Sequence, residues 1–157
     1  MTQPMICCFT GHRKLQFDCA GTLGERLKNT VERLIEEGVT VFRAGGAMGF
    51  DTLAALEVLK QKQRHEGVRL ELMLPCRDQE AFWKEKDRQI YRYILERADA
   101  VNYVADRYFQ GCMQARNRRL VDGSHYCVAF CGTQSGGSAY TVSYARKKQV
   151  KVINLFL

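Results

Sequence analysis

Apolar residues recur along this chain in two periods that take turns. Met5-Ile6-Cys7-Cys8-Phe9 is an unbroken apolar run, as in a strand buried on both faces. Leu23, Leu27, Val31, Leu34 and Ile35 then follow at helical spacing and stop at Gly38, a residue suited to a helix C-terminus. Val39-Thr40-Val41-Phe42 is β-branched and aromatic and predicts a second strand. Residues 51–64, rich in Ala and Leu, predict a helix. Residues 68–74 alternate apolar with charged positions and end at Pro75, which predicts a half-exposed strand or one near an edge. The next helix is expected over 79–97, with Trp83, Ile90 and Ile94 on one stripe. A strand at 100–104, a helix at 114–121, a strand at 126–130, a helix at 138–148 and a last strand at 150–155 complete the pattern.

Strands alternating with helices predict an α/β fold: a single Rossmann-like, doubly wound domain over 1–157. Its sheet should be mostly parallel, with helices on both faces and right-handed crossovers. The 157 residues suit one domain, and no repeat or linker interrupts them. No run of about 18 apolar residues occurs and residues 1–5 lack a leader's charged and apolar regions, so a cytoplasmic protein without a membrane span is expected. The seven cysteines contain no C-x-x-C pair and read as reduced thiols. Cys127 and Cys131, four apart on a predicted strand, read as small buried apolar residues rather than metal ligands. Neither a metal nor a cofactor is expected.

In an open parallel sheet, ligands bind beyond the carboxyl ends of the strands, so the strand-to-helix turns carry the candidate chemistry. The first holds Thr10, Gly11, His12 and Arg13. The second holds Gly45, Gly46, Ala47, Gly49 and Asp51, and the one after the fifth strand holds Gly136, Gly137 and Ser138. Glycine lets a backbone approach a phosphate, and a helix N-terminus offers unpaired N–H groups. Neither glycine-rich turn matches a dinucleotide fingerprint or a Walker-type loop, so a Walker NTPase is disfavoured. Arg13 and Arg116 are the cations expected beside the anion, whereas Arg118 and Arg119 should face solvent. His12 is a ligand or proton-transfer group, or an ordinary turn histidine. Asp51 is a helix N-terminal carboxylate, or a ribose-binding or catalytic acid. Trp83 is a core or pocket-wall aromatic, or a platform for a base. The net charge of +7 suits an anionic partner without requiring one.

Several of these segments carry a family likeness. Phe9-Thr10-Gly11-His12-Arg13, Gly45-Gly46-Ala47-Met48-Gly49-Phe50-Asp51, Gln79 with Trp83, Arg116-Asn117 with Leu120-Val121-Asp122, and the run from Gly136 to Thr141 occur in order. Together they resemble the YpsA-like branch of the SLOG superfamily, the Rossmann-like group that includes DprA and the LOG phosphoribohydrolases. The resemblance implies a pocket for a nucleotide or a nucleotide-derived ligand and adds Asn117 to the candidate site. The LOG pattern M-x-x-R-K is met by Met113 and Arg116, but Asn117 replaces its lysine. Ser143 stands where that family's glutamate would fall, so a phosphoribohydrolase here would need another acid, for which Asp51 is the candidate.

Three functions follow, in order of expectation. The first is a binding protein, or sensor, for a nucleotide-derived small molecule such as an ADP-ribose-like compound. The second is an N-glycosidase or phosphoribohydrolase acting on a nucleotide. The third is a DprA-like binder of single-stranded nucleic acid, placed last because no dense basic-aromatic stripe is visible along the chain. No membrane partner is expected, and a homodimer is left open.

Overall fold

The computed structural model describes residues 3–15 and 17–156, with the backbone alone for 17–21. The elements in chain order are β1 (Met5–Gly11), α1 (Phe17–Glu36), β2 (Val39–Ala44), α2 (Phe50–Lys62), β3 (Arg69–Cys76) and α3 (Glu85–Arg97). They continue with β4 (Ala100–Ala105), α4 (Cys112–Val121), β5 (Tyr126–Phe130), α5 (Gly137–Lys147) and β6 (Lys151–Asn154). Every strand joins one sheet in the order β4-β3-β2-β1-β5-β6, and each pairing is parallel. The chain steps outward from β1 to β4, then crosses back to lay β5 on the other side of β1.

Strand periodicity divides the core. Cys7, Phe9, Leu70, Leu72 and Val128 face the larger cluster, which takes in Leu27 and Val31 of α1, Phe50 and Ala54 of α2, and Tyr91 and Ile94 of α3. Cys8 and Cys127 point the other way, onto Leu120 and Val121 of α4 and Ala145 of α5. The apolar runs of β1 and β5 therefore reflect burial on both faces, as parallel sheets require.

Three expectations need correcting. The helix expected from Gln79 begins only at Glu85. The intervening residues are held in turns, with Ala81 N–H on Asp78 O and Trp83 N–H on Glu80 O. Trp83 thus precedes the helix instead of riding its stripe, and it meets Tyr91 edge-on at 5.2 Å between ring centroids. β3 runs through Pro75 to Cys76 rather than ending before it. The β2 pairing stops at Ala44↔Leu72, so at Pro75 the strand has β4 alone beside it and one side carries no ladder to break. β5 ends at Phe130, which puts Cys131 just past the strand and half-exposed rather than in its core.

Among the described residues no helix is long and apolar enough to cross a membrane.

Candidate functional site at the carboxyl end of the sheet

The strand order reverses between β1 and β5, and a cavity of about 210 Å³ lies at that switch point. Eleven of the expected residues line it: Thr10, Gly11, His12, Arg13, Ala47, Asp51, Arg116, Asn117, Gly136, Gly137 and Ser138. Met113, Leu120, Thr133 and Ser135 line it too, although the sequence did not name them as site residues. Met113 lies in the same run as Arg116, and Thr133 and Ser135 lie in the third turn, so whole turns would have been the better unit. Gly45, Gly46, Gly49 and Trp83 do not line the cavity. A larger hollow, about 590 Å³, lies between α1 and α2 and is lined by none of the expected site residues, with Leu53 and Leu56 on its floor.

The two glycine-rich turns do different jobs. In the second turn the glycines admit neighbouring protein. Gly49 has φ +78°, and a Cβ there would overlap the carbonyl oxygens of His12 and Arg13. At Gly45 a Cβ would sit 2.7 Å from Arg116 Nη1 and 2.9 Å from Asp51 Oδ2. This turn braces the site. The third turn is open. Gly136, the residue before α5, has φ +102°, and a Cβ on it would meet nothing within 4 Å. Among the described residues no side chain caps α5. Tyr140 N–H is the first along the helix to find a backbone acceptor, at Gly136 O. The earlier N–H groups are the ones a helix N-terminus leaves for an anion.

The two arginines also differ. Arg116 is buried and bonded within the protein: Nη1 donates to Gly45 O, and Nε donates to Asn117 Oδ1 at 2.8 Å. Burial pulls its guanidinium below its ordinary value, and Asp51 opposes that pull. Arg13 is exposed at the cavity wall, where among the described residues its Nη2 reaches only the weak acceptor Met113 Sδ, at 3.8 Å. Asp51 is buried and accepts the Ala47 N–H at 3.2 Å. Burial pushes its carboxyl up to about 6, against the pull of Arg116, the Ala47 N–H and Arg13. It does not cap its own helix. It ties the second turn together while facing the cavity.

His12 joins the first and third turns. Its N–H donates to Phe130 O at 3.2 Å and its carbonyl accepts Phe50 N–H at 3.0 Å. Its ring Nε2 accepts Gly132 N–H at 2.9 Å, and Nδ1 lies 3.4 Å from Ser138 Oγ. Burial raises the Cys7 thiol well above its ordinary value, which makes it a poor nucleophile. Among the described residues no group of three His, Cys, Asp or Glu side chains could hold a metal ion.

The outer surface of α4 and α5 carries a row of basic and aromatic side chains. Arg118 Nη1 donates to Tyr140 OH at 3.0 Å, Tyr140 stacks on Tyr144 at 6.3 Å between centroids, and Lys148 Nζ lies 5.5 Å from the Tyr144 ring. This row is short: two aromatics and two cations, not a dense stripe. Tyr140, Tyr144 and Lys148 stand four residues apart along one helix, whereas Arg118 joins them from α4.

Comparison with known proteins decides the family. The YpsA model, the YspA SLOG family, matches residues 7–155. The chain belongs to the YpsA SLOG family. Among curated relatives, UPF0398 protein BH1768 of Halalkalibacterium halodurans is 37% identical over 119 residues, which cover 74% of this chain and 63% of that protein. The chain therefore spans less than two thirds of that relative's length. Among solved structures, the DNA processing protein A (DprA) of Streptococcus pneumoniae matches with a TM-score of 0.68 at 16% identity, covering 96% of this chain and half of that one. DprA of Helicobacter pylori, studied for its single-stranded DNA binding mode, matches with a TM-score of 0.68 at 18% identity, covering 96% of this chain and 65% of that one. At such identities the DprA likeness shows the Rossmann-like fold alone. The SLOG membership is shown by the family match.

Proposed function

We propose that this SLOG domain binds the phosphate-bearing part of a nucleotide or nucleotide-derived ligand in the cavity between β1 and β5. One observation carries the reading: the uncapped N-terminus of α5 and the exposed cation Arg13 open into the same cavity. A helix N-terminus and an exposed guanidinium are complementary to one anion. Arg116 serves as a strut, with Gly45 and Asn117 already on its donors. Pockets that enclose a whole drug-sized ligand run to about 300–1,000 Å³. At about 210 Å³ this one is smaller, a size that suits the phosphate-bearing part of the ligand. Calorimetry with nucleoside monophosphates, ADP-ribose and their dephosphorylated counterparts tests the reading. Phosphorylated compounds should bind and the parent nucleosides should not; equal behaviour of the two sets would sink it.

A second reading has its own support. Tyr140 and Tyr144 lie on α5, whose N-terminus opens the cavity, with Lys148 at its C-terminus and Arg118 reaching Tyr140 from α4, and aromatics beside cations suit single-stranded nucleic acid. A steep loss of oligonucleotide affinity with salt, absent for a mononucleotide, would favour it. For hydrolysis, Asp51 is the one carboxylate lining the cavity among the described residues. Release of free base from a nucleoside monophosphate, abolished in Asp51→Asn, would make the protein an enzyme.

A further inference from the structure

The ring of His12 touches both ends of the third turn. Gly132 N–H donates to Nε2 at 2.9 Å where the turn begins, and Ser138 Oγ lies 3.4 Å from Nδ1 where α5 begins. A backbone N–H can only donate, so Nε2 must offer its lone pair, and the neutral ring carries its proton on Nδ1. With Nδ1–H donating, the Ser138 hydroxyl accepts. Its own proton is then left to donate into the cavity that Ser138 lines. The ring cannot swing aside easily: it packs edge-on against Phe130 at 5.8 Å and Phe156 at 6.2 Å.

We propose that His12 is a positioning residue and a proton-operated latch: the neutral ring holds the β5–α5 turn in its anion-receiving shape, and the imidazolium releases it. This rests on reading the cavity as an anion site. An imidazolium carries N–H on both nitrogens, so one of them meets the Gly132 N–H donor to donor, and the turn must move away. The groups packed on the ring from β5, α5 and the C-terminal segment are Phe130, Ser138 and Phe156, none of which changes charge in this range. The charged groups around it are Arg13 on its own turn, with Asp51 of α2 and Arg116 of α4 lining the same cavity. Acid acting on Asp51 removes a negative charge and favours an anion. An imidazolium touching the anion would do the same. Weaker anion binding in acid is therefore the mark of the latch.

The test is nuclear magnetic resonance on the ¹⁵N-labelled full chain between pH 8 and 5, first without ligand and then with sulfate, an anion that stays doubly charged throughout. At pH 8 the His12 ring should show its proton on Nδ1. The amides of Gly132 and Ser138 should shift with the same midpoint as the ring, and they should stay still over that range in His12→Gln. One pH unit below that midpoint about a tenth of the rings remain neutral, so sulfate should bind about tenfold more weakly. This last measurement is made in wild type and in Asp51→Asn, which removes the opposing carboxyl. A neutral ring protonated on Nε2 would overturn the proposal, as would a Gly132 amide indifferent to the ring's titration or tighter sulfate binding in acid in Asp51→Asn. Sulfate that binds at no pH would instead overturn the anion-site reading, while the ring–amide coupling would still be read in the free protein.

Discussion

Asp51 offers the sharpest quantitative test, because it is a carboxylate that folding makes less acidic. Its value rises from 3.8 to about 6 as burial outweighs the pull of Arg116 and of the Ala47 N–H. Between those values the folded chain binds more protons than the unfolded one. Stability must therefore fall as pH rises through that window and level off above it. About two units at 1.36 kcal/mol per unit make the loss about 3 kcal/mol. Asn cannot titrate, so Asp51→Asn removes this dependence while keeping the side chain's shape. Urea unfolding of both proteins from pH 4 to 7.5, at constant ionic strength, gives the difference curve directly. Relative to the variant, the wild type should lose about 3 kcal/mol across the range. Parallel curves would refute the reasoning. A wild type that gains stability with pH would show that Arg116 outweighs burial.

Other predictions follow from the same geometry. Arg13→Ala should weaken nucleotide binding about 10- to 100-fold in calorimetry, the loss of one charge-assisted contact, and leave the melting temperature unchanged. Arg119→Ala, an exposed change whose Nη1 reaches only Tyr103 O at 3.4 Å, should alter neither. Arg116→Ala should lower stability by about 3 kcal/mol by urea titration, because it strips Gly45 O of its donor and takes from buried Asp51 its stronger guanidinium partner. Gly49→Ala should cost at least about 2 kcal/mol, since positive φ and the His12 and Arg13 carbonyls both oppose a side chain; a variant that melts like wild type would refute the bracing role. An anion bound near Asp51 should make that carboxyl harder to ionise. Binding near pH 6.5 should then take up protons, visible as a binding heat that changes with the buffer's ionisation enthalpy.

The amino-acid sequence determined the architecture because parallel strands buried on both faces leave an unbroken apolar mark. The runs at Cys7-Cys8-Phe9 and Cys127-Val128-Ala129 announced β1 and β5, and the stripe from Leu23 to Leu34 announced α1. It also determined where chemistry could gather, since strand-to-helix turns of a parallel sheet all emerge at one end. Local signals failed where distant residues ruled. Nothing near Gln79 disfavours a helix, but its amide reaches Gly46 O at 3.4 Å and Tyr91 OH at 3.3 Å, and the chain turns there instead. Which glycines admit protein and which face open space was beyond reach, because Gly45 and Gly136 look alike until Arg116 and Asp51 close on one and nothing closes on the other. The same holds for the two arginines. Arg13 and Arg116 carry equal charge in the sequence, and only the packing of α4 against the second turn commits one of them and leaves the other exposed. A side chain's role depends on what the fold brings within about 3 Å of it, and those neighbours came from segments as far apart as Arg116 and Gly45.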